Sequence, residues 1–163
     1  MKKIIICSYD EKLLPVKMTP WSVCYDMFAE NDFEIEPGEI KKIKSGIKIY
    51  FPIGWHANIY ARSSLPTKTW LMQAHSIGVI DSDYRWDYIM QLYNFTDKKL
   101  SFKKYTRLTQ MEIAPYYVWS WIYWTKEVPE LEFIVDKKLY NNFENEFNSE
   151  RWVGWFGSTG GHI

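Results

Sequence analysis

Three short runs hold residues whose types and spacing could do chemistry. In Gly78-Val79-Ile80-Asp81-Ser82-Asp83-Tyr84, two apolar β-branched residues lead into two carboxylates and a phenol ring. Carboxylates in a turn are candidate proton acceptors. Asp and Ser also bond their own backbone, so the run suits a structural hairpin turn just as well. In Arg62-Ser63-Ser64-Leu65-Pro66, a hydroxyl stands ahead of a proline that the first helical turn tolerates. This order predicts a capped helix of one or two turns, whose open N–H groups attract anions or simply form an ordinary cap. The chain has no Walker-type glycine loop to hold phosphates instead. The third run, Arg151-Trp152-Val153-Gly154-Trp155-Phe156-Gly157-Ser158-Thr159-Gly160, is glycine-dense, and a terminus of that composition is flexible by default.

The elements that must position these runs follow from size and pattern. At 163 residues the chain suits one domain with a substantial core. Twenty basic and twenty acidic residues cancel, so no chain-wide field favours nucleic acid or a membrane surface. Nine Trp and twelve Tyr exceed what a small core needs, which places some rings at subunit contacts. Cys7 and Cys24 share no motif spacing and read as reduced thiols of a cytoplasmic protein. Met1-Lys2-Lys3 with Ile4-Ile5-Ile6-Cys7 is too short for a signal peptide and reads as a first strand over residues 3–8. No apolar run approaches a membrane span.

Further strands are expected over 40–51, with a bulge at Ser45-Gly46, then over 55–61, 70–72, 85–89 and 103–111. Turns fall at Pro37-Gly38 and Pro52-Ile53-Gly54. Short strands between turns, without helical period, point to an all-β sandwich or barrel. Residues 116–124 are crowded with rings and read as a strand or lid-like hairpin; 141–149 reads as a polar connecting arm.

Taken together, the three runs resemble the motifs of the trimeric dUTPase family, the deoxyuridine triphosphate nucleotidohydrolases. Tyr25-Asp26-Met27-Phe28-Ala29 is similar to its first motif at Asp26 and Ala29, with Cys24 where the family has Gly. Arg62-Ser63-Ser64-Leu65 resembles the second motif, the 78–84 run the third, Arg107-Leu108-Thr109-Gln110 the fourth, and the tail the fifth. The resemblance implies a distorted jelly roll of the β-clip kind with at most one short helix. It divides the chain into a β domain over 1–148, including an aromatic-rich segment at 115–148, and a tail over 149–163.

It also implies hydrolysis of dUTP to dUMP and pyrophosphate by a homotrimer with Mg²⁺, and no nucleic-acid or membrane partner. Asp81 would activate the water, Tyr84 would pack on the sugar, and Val79, Ile80 and Ile89 would help hold the base. Arg62, Ser63, Ser64 and Gln110 would meet phosphates, and Asp26 would face the metal through water. His75 stands where many relatives carry a base-contacting Asn. In the tail, Arg151, Gly157 and Ser158 would meet phosphates and Phe156 would stack on uracil. Trp70, Trp86, Trp152 and Trp155 replace family glycines, and Tyr105 replaces another. Two alternatives accompany this reading. One is a catalytically impaired dUTPase-like module that binds a nucleotide or protein; the more distant one is a dCTP deaminase of the same superfamily, whose extra Arg is Thr67 here.

Overall fold

β-branched and aromatic residues build twelve short strands among residues 2–116 and 128–148, which the computed structural model describes. In chain order these are β1 (Lys3–Ser8), β2 (Tyr25–Phe28), β3 (Phe33–Ile35), β4 (Ile40–Lys44), β5 (Ile47–Tyr50) and β6 (Trp55–Ala61). They continue with β7 (Leu71–Gln73), β8 (Gly78–Ile80), β9 (Ile89–Asn94), β10 (Leu100–Phe102), β11 (Arg107–Pro115) and β12 (Glu130–Val135). Among the described residues helical turns are confined to α1 (Leu65–Thr69), α2 (Lys137–Asn141), α3 (Phe143–Glu146) and a 3-10 turn at Glu11–Leu13. The all-β expectation holds, and the C-terminal arm adds two helical turns to the one foreseen.

The strands form four small sheets, ordered β2-β11-β6-β8, β12-β1-β5, β4-β9-β7 and β10-β3. Their inward faces meet in one core that includes Ile6, Met27, Ile35, Ile49, Phe51, Leu92, Leu108 and Met111, all buried. Fully burying such a side chain stabilises the fold by about 1.5–3 kcal/mol. A second apolar cluster joins Cys7 of β1 to Tyr140 and Phe143 of the helical arm. Among the described residues no helix is long and apolar enough to cross a membrane. The aromatic stretch 117–127 and the tail 149–163 lie outside the described residues.

Two differences from the sequence reading have clear causes. The 40–51 stretch is a corner, not one bulged strand: β4 pairs with β9 while β5 pairs with β1. Gly46 makes the corner with φ +69, and a Cβ there would lie 2.5 Å from Leu13 Cδ1. Its carbonyl accepts from the buried Ser8 hydroxyl, and Ser45 donates twice to the Tyr88 carbonyl. Residues 85–88, in turn, are not a strand; pairing resumes only at Ile89. Tyr84, Arg85 and Tyr88 are all buried, which breaks the alternation a half-buried strand requires. The flanking strands β8 and β9 belong to different sheets, so the 81–88 run bridges sheets and does not close a hairpin.

Tyr105 occupies a left-handed backbone position, φ +67, in the turn before β11. That conformation costs a non-glycine residue about 1–2 kcal/mol. Its hydroxyl offsets part of the cost by donating to Asp10 Oδ2 at 2.6 Å, beside Lys104 Nζ at 3.0 Å. These two donors hold the Asp10 carboxyl below its usual 3.8. A carboxyl depressed on folding contributes stability that is present above its unfolded pKa and lost as pH falls through the folded value. We therefore expect Tyr105→Phe to cost about 1 kcal/mol at pH 7 and less at pH 3, measured by urea denaturation at both pH values.

Candidate functional site

Register along β11 places the polar residues of three distant segments at one end of the four-stranded sheet. Gln110 of β11 faces Asp26 of β2 on one side and Tyr60 of β6 on the other. Arg62 directly follows β6, and Arg107 opens β11. Asp26, only 7% exposed, therefore meets two guanidinium groups: Arg62 Nε lies 3.0 Å from Oδ1, and Arg107 Nη1 lies 3.3 Å from Oδ2. Arg62 also donates to the Arg107 carbonyl, and Gln110 Nε2 donates to the Ala61 carbonyl. Two cations around one carboxylate leave a net positive charge, a chemistry suited to phosphate oxygens. Arg107 lies in the run that resembles the fourth motif, yet its ion pair with Asp26 carries no signal in spacing alone.

Ser63 and Ser64 lead into α1, where Pro66 sits in the first turn as expected. The Ser64 hydroxyl makes no capping bond; its backbone is already helical and its carbonyl accepts from Lys68 N–H. Helix geometry thus does not consume that hydroxyl, and the capping role foreseen for it is corrected. The helix ends at Trp70, which takes the left-handed C-cap position with φ 59 while 56% exposed. Its ring makes an edge contact with Phe95 at 6.4 Å, so burial returns only part of the backbone cost.

The carboxylate turn lies elsewhere. Tyr84 N–H donates to the Asp81 carbonyl at 3.1 Å, closing the turn, and the Tyr84 hydroxyl donates to the Asp87 carbonyl at 2.9 Å. Tyr84 is 8% exposed, in edge contact with Trp86 and Tyr88, so only a sliver of its ring faces outward. Trp86, unlike Trp70, keeps an ordinary backbone and packs on the core. Ile80 opposes Ala57 in the β8–β6 register, and Ile59 opposes Gly78. Asp81 therefore continues away from Arg62, which lies five residues beyond Ala57, about 17 Å along the strand. Within one chain, the carboxylate turn and the cationic cluster sit at opposite ends of β6.

The base-side residues gather around β8, which among the described residues is the edge strand of its sheet. Val79 points outward and Ile80 inward, while Ile89 begins β9 and is buried. Gly78 is pinned by close approach, since a Cβ would lie 3.2 Å from His75 Cε1 and 3.3 Å from Ile59 Cβ. His75 Nδ1 lies 3.4 Å from Gln73 Nε2, which also donates to the Ile59 carbonyl. Burial holds the His75 ring below the usual 6.5, so it is neutral at pH 7 and offers one donor and one acceptor. Arg151, Phe156, Gly157 and Ser158 lie outside the described residues.

Among the described residues no three His, Cys, Asp or Glu side chains form a protein-only metal cage. Asp26 fits a cation only through water: each oxygen already accepts from a guanidinium, and a carboxylate keeps further lone pairs for a metal's water shell.

Comparison with known proteins bears on this arrangement. The family model described as dUTPase matches residues 10–133. A deoxyuridine 5'-triphosphate nucleotidohydrolase of Lactococcus lactis is 33% identical over 153 residues, covering 90% of this chain and 87% of its own. That of Dictyoglomus turgidum is 33% identical over 165 residues, covering 98% and 99%. The dUTPase of Streptococcus mutans superposes with a TM-score of 0.66 at 30% identity, over 69% of this chain and 93% of that one. A mutant dUTPase of phage phi11 of S. aureus, described with a coordinated structural Mg(II) ion, shares the fold at 19% identity with a TM-score of 0.63, over 79% and 96%.

Removing the carboxylate between the two guanidinium groups leaves like charges facing each other at a partly buried position. We expect Asp26→Ala to cost about 2–3 kcal/mol, at or below the range for breaking a fully buried pair because Arg107 is partly solvated. Urea denaturation at low and high salt checks this, with the larger loss at low salt.

Proposed function

The chain belongs to the dUTPase family, and from that membership we propose that it hydrolyses dUTP to dUMP and pyrophosphate, with the parts of the site divided as its geometry divides them. The observation that carries the division is the antiparallel pairing of β8 with β6, which sends Asp81 and Arg62 in opposite directions. A site using both must draw them from different copies of the chain. We read the assembly as a homotrimer in which one copy supplies Asp81 and Tyr84 and another supplies Asp26, Arg62, Ser63, Ser64 and Gln110. Exposed apolar residues on and beside the edge strand, Ile77 and Val79, fit a surface that neighbouring copies cover.

In this reading Asp81 orients water for in-line attack on the α-phosphorus and takes its proton, an assistance worth about 100- to 10,000-fold. Phosphate oxygens lie against Arg62 and the hydroxyls of Ser63 and Ser64, the second of which the helix leaves unengaged. Gln110 keeps its amide carbonyl and one N–H for a phosphate or a bound water. Mg²⁺, carried in on the phosphates and facing Asp26 through water, would neutralise charge on the pyrophosphate. The β8 edge around Val79 and Ile80 and the start of β9, at Ile89, hold the uracil, with neutral His75 close by.

Tyr84 floors the deoxyribose, its ring fixed by the bond to the Asp87 carbonyl, so that a 2′-hydroxyl finds no room. The family resemblance assigns Arg151, Gly157 and Ser158 to the phosphates and Phe156 to the base. The two unbridged cysteines suit a reducing, cytoplasmic setting.

Incubation with Mg²⁺ and each of dUTP, UTP and dCTP tests the proposal. Pyrophosphate should appear from dUTP, with little from UTP and no deamination of dCTP. Asp81→Asn should lower kcat by about 100- to 10,000-fold at an unchanged melting temperature. Tight dUTP binding without turnover by the unaltered chain would refute the catalytic reading.

A further inference from the structure

The 81–88 run and the helical arm are tied together by more contacts than the fold requires. Arg85, 5% exposed, donates in three directions: Nη1 to the Ser82 carbonyl at 2.6 Å and to the Tyr84 carbonyl at 3.2 Å, and Nε to the Phe147 carbonyl at 2.8 Å. Its guanidinium lies 4.9 Å above the Tyr50 ring, whose other contact is Phe147 at 5.0 Å. One rigid fork thus grips the turn that carries Asp81 and Phe147 of the arm at the same time. Two residues on, Asp87 accepts from the Tyr140 hydroxyl of α2 and pairs with Lys44 at 3.2 Å. The arm itself is nailed to the body by buried Lys48, which donates to the Tyr140 carbonyl at 2.9 Å and to Glu144 at 2.7 Å.

A turn of this kind would hold its shape through its own backbone bond from Tyr84 to Asp81. The extra grip makes sense if the direction of the turn, and not only its closure, must be fixed. We infer that Arg85 is a positioning residue that sets the orientation of Asp81 and Tyr84 from the seat of the α2–α3 arm, with the Tyr140–Asp87 contact as its second tie. Arg85 touches no reacting atom; all three of its bonds go to backbone carbonyls. A shift of the arm is passed to the base through two rigid links, and misplacement by about 1 Å can cost about 100-fold in rate. The inference rests on the reading of Asp81 as the base.

Arg85→Gln, Arg85→Lys, Tyr140→Phe and the double variant Arg85→Gln/Tyr140→Phe, each assayed for kcat, KM and melting temperature, test it. Arg85→Gln should lower kcat by about ten- to a hundred-fold with KM for dUTP within about two-fold, and Arg85→Lys should recover part of the loss. Tyr140→Phe, remote from substrate, should lower kcat by a smaller factor, and the double variant should lose less than the product of the two single losses. Where Arg85→Gln does not fold, Glu144→Gln takes its place beside Tyr140→Phe, with the same non-additive loss expected. Folded variants that keep kcat, or losses that multiply independently, overturn the inference alone. An unaltered chain that leaves dUTP intact overturns it together with the function on which it rests.

Discussion

Asp26 is the tie on which the cationic end of the sheet depends. Without it, the guanidinium groups of Arg62, just after β6, and of Arg107, at the start of β11, would face each other with nothing to balance them; with it, three segments far apart in the chain share one small charged cluster. Strand register delivers all of its members at once. Because side chains alternate along a strand, a one-residue slip of β2 against β11 would turn Asp26 away from both arginines and leave Gln110 without its neighbour. On the other face Met27, opposite Thr109, and Met111, opposite Tyr25, are buried in the common core. Core packing and anion chemistry are therefore specified by the same alignment.

Much of this was legible in the residues. The first strand, the strand over 55–61, the short helix after Ser64 and the all-β character all follow from local pattern. The clustering of Asp26, Arg62 and Gln110 was foreshadowed by motif likeness. What local pattern could not carry were choices made by partners distant in sequence. Ser45-Gly46 reads as a bulge in either case, but whether the chain continues in one sheet or changes sheet is decided by Leu13 and Tyr88, which crowd that corner. Arg85 through Ile89 reads as an alternating strand, but the buried guanidinium of Arg85 turns inward onto carbonyls, which no periodicity announces. The α2 helix escapes notice because its five residues are too few for a period, although Asp136 caps it with two bonds to the following N–H groups.

The large rings at Trp86, Tyr105 and Trp70 resolve differently at each place. Trp86 keeps an ordinary backbone and packs against Tyr84. Tyr105 accepts a left-handed backbone and anchors its hydroxyl on Asp10. Trp70 accepts the same strain with its ring mostly in solvent. Trp86 carries no such backbone cost, the hydroxyl bond to Asp10 offsets part of it at Tyr105, and at Trp70 the edge contact with Phe95 is the visible return. Substitution of a glycine by tryptophan is thus one mark in the sequence with several physical meanings.

The pairing of β1 with β12 joins residues 3–8 to residues 130–135 in a parallel ladder. During synthesis on a ribosome, the partner for Ile4, Ile5 and Ile6 on that side emerges only after most of the chain has been made. Closing so long a loop adds little to the equilibrium cost, since loop entropy grows only logarithmically, but it delays completion of the sheet. Until then the nascent N-terminal strand has β5 for company on one flank and a bare ladder on the other. That bare ladder is a surface open to mispairing between growing chains.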